Sequence, residues 1–285
     1  MSTYPIMDLD ELASHLSKPE SIRLIDCRFD LAKPEWGHES YLQAHIPGAV
    51  YADLNKDLSA PITPSTGRHP LPDPADFINK LAIWGVEPGR KVVVYDTVGG
   101  GFAGRLWWML RAVGHQDVQM LNGSFLLWQN QKRPTAAGQE AAQPSSFKYA
   151  AQFNPAMYLT TAQMEARLKD SRLVLIDARA AERFQGLVEP IDAIPGHIPG
   201  AVNRFHGINL SADGTFKPAE QLRKEFTELA GTTDPENMVV YCGSGVTSCH
   251  HLVALEAAGI TGVPVYIGSW SEWIRDRSRP MATGK

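Results

Sequence analysis

The sequence predicts an α/β protein made of two similar domains in tandem, each a mostly parallel sheet with helices on both faces. Three observations carry that expectation. The chain has 285 residues, enough for about two domains of ~150 residues, each with its own core. It repeats itself at a nearly constant offset. Within each repeat, short apolar β-rich runs alternate with helix-length segments, the pattern of a parallel sheet buried on both sides.

The repeat is carried by four blocks. Leu24-Ile25-Asp26-Cys27-Arg28 is matched by Leu175-Ile176-Asp177-Ala178-Arg179, and Ala44-His45-Ile46-Pro47-Gly48-Ala49-Val50 by Gly196-His197-Ile198-Pro199-Gly200-Ala201-Val202. Val93-Val94-Tyr95 is matched by Val239-Val240-Tyr241, and Gly123-Ser124 with Trp128 by Gly268-Ser269 with Trp273. Four blocks in one order are a duplication, and the period is far longer than the ~20–50 residues of a solenoid unit. Residues 134–149 are small and polar without an apolar period, which is linker composition. The expected division is a first domain over 1–136, a linker over 137–152 and a second domain over 153–285.

Taken in order, 23–26 reads as a strand, 73–84 as a helix, 91–95 as a strand, 103–113 as a helix and 118–121 as a strand. The second half repeats the series as 173–177, 220–229, 237–241, 246–258 and 263–267. In such sheets ligands bind where strand C-termini meet helix N-termini. The junctions after Tyr95 and Tyr241 are therefore the informative ones.

Composition narrows the classes. Lys and Arg number 27 against 31 Asp and Glu, a net charge of −4, so no basic face is expected to hold nucleic acid. No apolar run approaches the ~20 residues that span a bilayer, and residues 1–10 lack the basic and apolar regions of a secretory signal. The three Cys contain no C-x-x-C pair, which disfavours a disulfide framework or a structural zinc site. A soluble protein of a reducing compartment, the cytoplasm, is expected, with no metal and no organic cofactor.

After Tyr241 comes Cys242-Gly243-Ser244-Gly245-Val246-Thr247, leading into an apolar helix. This places a nucleophile on a strand-to-helix turn. The glycines allow positive φ, so the backbone can curl into a cup of N–H groups that binds an anion, and the helix dipole adds partial positive charge. Both favour thiolate over thiol. A buried structural thiol is the alternative for Cys242, since free Cys is commonly buried. Cys27, at a strand end, and Cys249, inside a predicted helix, read as core residues. The first-half junction, Asp96-Thr97-Val98-Gly99-Gly100-Gly101, begins with Asp in place of Cys and is expected to be non-catalytic. Trp107, Trp108, Trp270 and Trp273 read as core rather than as a pocket lining.

The Cys242–Thr247 loop resembles the active-site loop of two-domain rhodanese-type sulfurtransferases, in the form typical of their 3-mercaptopyruvate enzymes. Gly196-His197-Ile198-Pro199-Gly200-Ala201 and Gly268-Ser269-Trp270-Ser271-Glu272-Trp273 are similar to further signatures of that family. The resemblance covers nearly the whole chain. It implies two rhodanese-like domains and a ping-pong transfer. Cys242 takes sulfur from 3-mercaptopyruvate as a persulfide, releasing pyruvate, and passes it to cyanide or to a thiol such as thioredoxin. The N–H groups of Gly243, Ser244, Gly245, Val246 and Thr247 would hold the negative charge. Arg183 matches the Arg that binds the donor anion, and Ser244, His69 and Asp57 fall on a Ser–His–Asp arrangement said to assist the donor, at an interface between the domains. Arg179 is expected in a structural ion pair, and His45 and His197 are expected to be structural.

One position departs from the family pattern. Mercaptopyruvate enzymes carry a second Arg in a Glu-Pro-Arg context, and here Glu189-Pro190 is followed by Ile191. The neutral Gly243 and Ser244 nevertheless favour mercaptopyruvate over thiosulfate, whose relatives carry basic residues there; thiosulfate is the runner-up donor. A Cys-dependent phosphatase would need an Arg closing the loop, and residues 246–249 contain none. A non-catalytic binding module is the third class, and it would tolerate Cys242→Ser.

Overall fold

Each half of the chain folds into a five-stranded, all-parallel sheet. In the computed structural model, residues 4–18 and 21–284 are described. The first half runs β1 (Ile6–Met7), α1 (Leu9–His15), β2 (Ile22–Asp26), α2 (Trp36–Gln43), β3 (Ala49–Tyr51), α3 (Pro74–Ile83), β4 (Lys91–Tyr95), α4 (Ala103–Ala112), β5 (Val118–Leu121) and α5 (Phe125–Asn130). The second runs β6 (Tyr158–Leu159), α6 (Thr161–Arg167), β7 (Val174–Asp177), α7 (Ala181–Phe184), β8 (Val202–Asn203), α8 (Ala219–Ala230), β9 (Met238–Tyr241), α9 (Ser248–Ala257), β10 (Val265–Tyr266) and α10 (Ser269–Trp273). The strand orders are β1-β5-β4-β2-β3 and β6-β10-β9-β7-β8, the same topology twice.

The central strands are apolar because both of their faces are covered. Every residue of β2 and of β9 is buried. Flanking helices start where the sequence supplies caps. Asp73 accepts from the Ala75 N–H ahead of Pro74, and Thr160 and Gln163 form a reciprocal capping box at α6. Trp107, Trp108, Trp270 and Trp273 are all buried in the cores, as is Cys27. Burial and the neighbouring carboxylates of Asp26, Asp96 and Asp57 push the Cys27 thiol well above its usual range.

The duplication extends to single hydrogen bonds. Arg28 pairs with Asp26 and donates to the Ala44 carbonyl; Arg179 pairs with Asp177 and donates to the Gly196 carbonyl. The Tyr95 hydroxyl accepts from the Ile46 N–H at 3.2 Å, and the Tyr241 hydroxyl from the Ile198 N–H at 3.2 Å. His45 and His197 each place Nδ1 2.7 Å from a main-chain carbonyl, of Tyr41 and Phe184 respectively. These are structural roles, and they keep the turn after each central strand in the same frame.

By packing, the chain divides into two units. One comprises residues through Ala60, Pro72–Asn154 and Leu210–Phe216; the other comprises Pro61–Leu71, Pro155–Asn209 and the chain from Lys217 on. The segment Pro61–Leu71 thus packs with the second half, although it lies in the first repeat. Among the described residues no helix is long and apolar enough to cross a membrane.

Two elements of the second half are shorter than the sequence predicts. β10 covers only Val265–Tyr266 because Pro264 has no N–H to add to the ladder. α9 begins at Ser248, two residues late, because Val246 and Thr247 remain in the loop.

One polar cluster lies beneath α9. The Asn209 amide donates to Nδ1 of His251 at 2.8 Å and faces Nδ1 of His250 at 3.2 Å, while His251 Nε2 donates to the Arg204 carbonyl at 2.8 Å. Both nitrogens of His251 are thus used in the neutral form. Burial, the largest influence, holds its pKa down at about 3, against 6.5 for a free imidazole. The unfolded chain binds this proton between pH 6.5 and about 3 and the native state does not, so native stability falls as pH drops through that window. Urea titrations should lose on the order of 2 kcal/mol from this group between pH 7 and pH 5. His251→Asn should flatten that slope relative to wild type; an unchanged slope would remove His251 as its source.

Candidate active site

The Cys242 loop begins at the C-terminal end of β9, a central strand, and closes into α9. Its shape follows from two glycines with different duties. Gly245 has φ +73°, and a Cβ there would lie 2.2 Å from the Ile267 carbonyl oxygen. Gly243 needs no unusual φ; a Cβ on it would instead lie 2.8 Å from Arg68 Nη2. The loop is anchored from α10. The Cys242 N–H donates to Ser269 Oγ at 3.1 Å, the Trp270 N–H donates to the Cys242 carbonyl at 3.0 Å and the Ser271 N–H to the Gly243 carbonyl at 2.8 Å. Ser269 holds φ +54°, a strained conformation for a residue with a side chain. Its hydroxyl donates to the Tyr266 carbonyl and lies 4.0 Å from Cys242 Sγ.

Cys242 is 1% exposed. Burial is the largest influence on its thiol and pushes the pKa up. Hydrogen bonds from the Ser248 and Thr247 hydroxyls and from the Ser244 and Ser248 N–H groups together outweigh it, and the thiol lies below the ordinary Cys range. The buried Ser248 hydroxyl has no hydrogen-bond partner among the described residues, which leaves it available to the sulfur. Ser248→Ala should therefore move the acid limb of kcat/KM to higher pH and lower kcat/KM at neutral pH by roughly three- to ten-fold. A pH profile superposable on wild type would exclude Ser248 from thiolate stabilisation. Cys249 points elsewhere, with Sγ 3.5 Å from the Gly245 carbonyl.

His69 and Ser244 come together, with Nδ1 2.8 Å from Oγ and both residues buried. Arg183 on α7 also reaches the loop, its Nη atoms 3.6 and 3.7 Å from a Cβ built on Gly243. It is fixed by Glu189, which accepts from Nε, and by Asp192, which accepts from Nη2 at 2.9 Å. Burial is the largest influence on Glu189 and raises its pKa, but Arg183 and the N–H groups of Asp192 and Ile191 outweigh it and hold the carboxyl below its usual range. Asp57 belongs to the first unit. There it pairs with Lys80 at 2.7 Å and accepts from the Asp53 N–H at 2.9 Å.

The sequence reading did not single out Arg68, Asp192, Ser248 or Ser269. Arg68 directly precedes His69, and Asp192 directly follows Ile191, so adjacency was their only sequence signal. Among the described residues, no three His, Cys, Asp or Glu side chains gather as metal ligands would.

The equivalent turn in the first unit is built on the same plan around a different residue. Asp96 follows β4, and its carboxylate sits in its own loop. Oδ1 accepts from the N–H groups of Val98 and Gly100 at 2.8 and 2.9 Å, and Oδ2 from those of Phe102 and Ala103 at 2.8 and 2.9 Å. The Phe125 N–H donates to the Asp96 carbonyl, as that of Trp270 does to Cys242. A cup of N–H groups at a helix start thus holds an anion that the chain itself supplies.

Comparison with known proteins agrees with the duplicated plan. Residues 8–131 and 160–276 each match the rhodanese-like domain. A Pseudomonas aeruginosa protein named as a probable 3-mercaptopyruvate sulfurtransferase is 44% identical over 286 residues, covering all of both chains. Thiosulfate sulfurtransferase of Rattus norvegicus is 33% identical over 262 residues, covering 90% of this chain and 86% of its own. The crystal structure of SseA from Escherichia coli, described with the 3-mercaptopyruvate sulfotransferases, superposes with a TM-score of 0.81 at 32% identity, covering 94% of this chain and 100% of its own.

Proposed function

The chain belongs to the family of proteins built from rhodanese-like domains, and from that premise we propose that it is a sulfurtransferase whose donor is 3-mercaptopyruvate and whose sulfur carrier is Cys242. The observation that carries this reading is the Cys242 thiol, held below its ordinary pKa at the head of α9 by hydroxyl and N–H donors. The thiolate attacks the donor sulfur and the C–S bond breaks. The bonding pair stays on carbon as the enolate of pyruvate, which takes up the proton that the donor thiol carried. Cys242 is left as a persulfide anion. The loop N–H groups and the Thr247 and Ser248 hydroxyls hold that charge in a water-poor site.

Ser244 and His69, 2.8 Å apart, are the groups suited to hydrogen-bond the donor carbonyl oxygen as it gains enolate charge. Arg183 binds the donor carboxylate. The nucleophile belongs to the second domain, 153–285, and the equivalent loop of the first, 1–136, is non-catalytic because Asp96 occupies its own cup. A thiol such as thioredoxin, or cyanide, takes the outer sulfur, and the enzyme works in the cytoplasm. Thiosulfate is the second donor reading, favoured by one observation: Ile191 stands where a carboxylate-binding Arg is usual.

Intact-mass measurement after incubation with each donor tests the proposal. Wild type should gain one sulfur, and gain it faster from 3-mercaptopyruvate than from thiosulfate, with pyruvate released in step. Faster loading from thiosulfate would move the donor assignment, and loading from neither would end it.

A further inference from the structure

Resting on the assignment of Ser244 and His69 to the donor carbonyl, we propose that Glu272 is a positioning residue of the reaction: its carboxylate fixes the chain just before His69 against α10 and so sets where His69 stands over Ser244. His69 belongs to no helix or strand, so its flanks must place it. Its segment, Pro61–Leu71, packs within the same unit as the Cys242 loop. The three residues ahead of His69 are each held by α10 or by the turn beyond it. The Thr66 carbonyl accepts from Arg275 Nε at 2.8 Å, the Gly67 N–H donates to Glu272 Oε2 at 3.3 Å, and the Arg68 N–H donates to Ser271 Oγ at 3.0 Å. Successive Cα atoms are only about 3.8 Å apart, so two anchored N–H groups leave the next residue little freedom.

The same helix grips the nucleophile loop, through the Trp270 and Ser271 N–H groups on the Cys242 and Gly243 carbonyls. Ser271 serves both sides, one with its N–H and the other with its hydroxyl. The 2.8 Å between His69 Nδ1 and Ser244 Oγ is therefore governed by two sets of attachments on one short helix. Glu272 is the ionised acceptor among them. A carboxylate suits the place because both of its oxygens must accept: Oε1 from the Thr161 hydroxyl and Oε2 from the Gly67 N–H. Thr161, at the start of α6, also meets the Tyr266 hydroxyl at 2.9 Å, so the carboxylate is itself braced. Two glycines leave room for the arrangement. A Cβ on Gly268 would stand 2.5 Å from Glu272 Cδ, and one on Gly67 would stand 2.8 Å from the Gly268 carbonyl oxygen and 2.9 Å from Ser271 Oγ.

This role is confined to one step. Loading from 3-mercaptopyruvate puts enolate charge on the oxygen that Ser244 and His69 face. Loading from thiosulfate breaks an S–S bond, expels sulfite and forms no enolate. Loss of Glu272 should therefore slow the first and spare the second. Arg68 should be disturbed less than His69, because its guanidinium has a second hold on Asp192.

Time courses of intact-mass loading with each donor, on full-length variants, test this. Glu272→Ala should load from 3-mercaptopyruvate roughly ten- to hundred-fold more slowly than wild type, and from thiosulfate within about two-fold of it. A structural disturbance of the Cys242 loop would slow both donors alike. Glu272→Gln keeps an oxygen for Gly67 and can donate its amide to Thr161, so it should lose no more than about three-fold. His69→Ala should be slow with the same donor selectivity, and adding Glu272→Ala to it should slow loading by less than about a further two-fold. Gly67→Ala leaves Glu272 and Thr161 in place but pushes the segment off α10. It should reproduce the pattern, and it decides the matter if Glu272→Ala does not fold. Normal loading from 3-mercaptopyruvate in these variants, or equal slowing with both donors, overturns the inference while the sulfur-transfer reading stands. Normal loading in His69→Ala would remove the His69 assignment together with it. Failure of wild type to load from 3-mercaptopyruvate would end the donor reading on which both rest.

Discussion

Cys242→Ser should lower pyruvate release from 3-mercaptopyruvate by at least about 10⁴-fold and should gain no sulfur by intact mass. The effect is large because the covalent step has no substitute. A hydroxyl in the same cup cannot become a persulfide, and its pKa lies far above anything the loop donors could bring to neutrality. The variant should fold as wild type does, since Ser is close in size to Cys and the hydroxyls of Thr247 and Ser248 face the same position. Melting temperatures measured beside the rates separate chemistry from folding. One result would sink the assignment: a Cys242→Ser chain that still gains one sulfur. The carrier would then be Cys27 or Cys249, both buried in the cores.

The second large effect is expected at Gly245. Alanine there meets two separate penalties. A φ of +73° costs an L-residue about 1 kcal/mol on its own. The added Cβ would also stand 2.2 Å from the Ile267 carbonyl oxygen, and backbone at the end of β10 cannot swing aside as a side chain could. Together these should destabilise the second unit by more than about 3 kcal/mol or force the loop open. Turnover should fall at least about 100-fold either way, because the N–H groups no longer converge on the sulfur. Gly200→Ala is the matched comparison. Its φ is +81°, but nothing lies within 4 Å of the new Cβ, so it should cost only the ~1 kcal/mol of backbone strain and leave turnover intact. Near-normal turnover in Gly245→Ala would mean that the cup's shape is not what activates Cys242.

Central elements were legible in the sequence because two-sided burial leaves an unmistakable apolar run. Lys91–Tyr95 and Val118–Leu121 are found with the expected bounds. The two-residue edge strands Ile6–Met7 and Tyr158–Leu159, and the four-residue helix Ala181–Phe184, are too short to show any period, and the sequence reading passed over them. The site divides in the same way. Cys242, Gly243 and Gly245 announce themselves by chemistry and spacing within six residues. Arg68 and Asp192 act through tertiary placement: one is carried in from the first repeat, and the other bridges two Arg that are 115 residues apart. No local pattern encodes such a bridge. Ser269 was visible only as part of a repeated Gly-Ser pair. Its counterpart Ser124 caps α5 from an extended φ of −155°, whereas Ser269 is turned to φ +54° beneath the sulfur. Identical dipeptides therefore serve different ends in the two halves.

A carboxylate resists the oxidants that attack a thiolate. With Asp96 seated in one cup and Cys242 in the other, the chain offers peroxide one oxidisable cup residue rather than two. Cys27 is held as a protonated thiol in the core of the first unit, and Cys249 Sγ faces the Gly245 carbonyl rather than a cup of N–H groups. Oxidative loss of activity is then a single-hit process. It follows the fraction of Cys242 converted to sulfenic acid, and a thiol reductant reverses it until a second oxidation makes the lesion permanent.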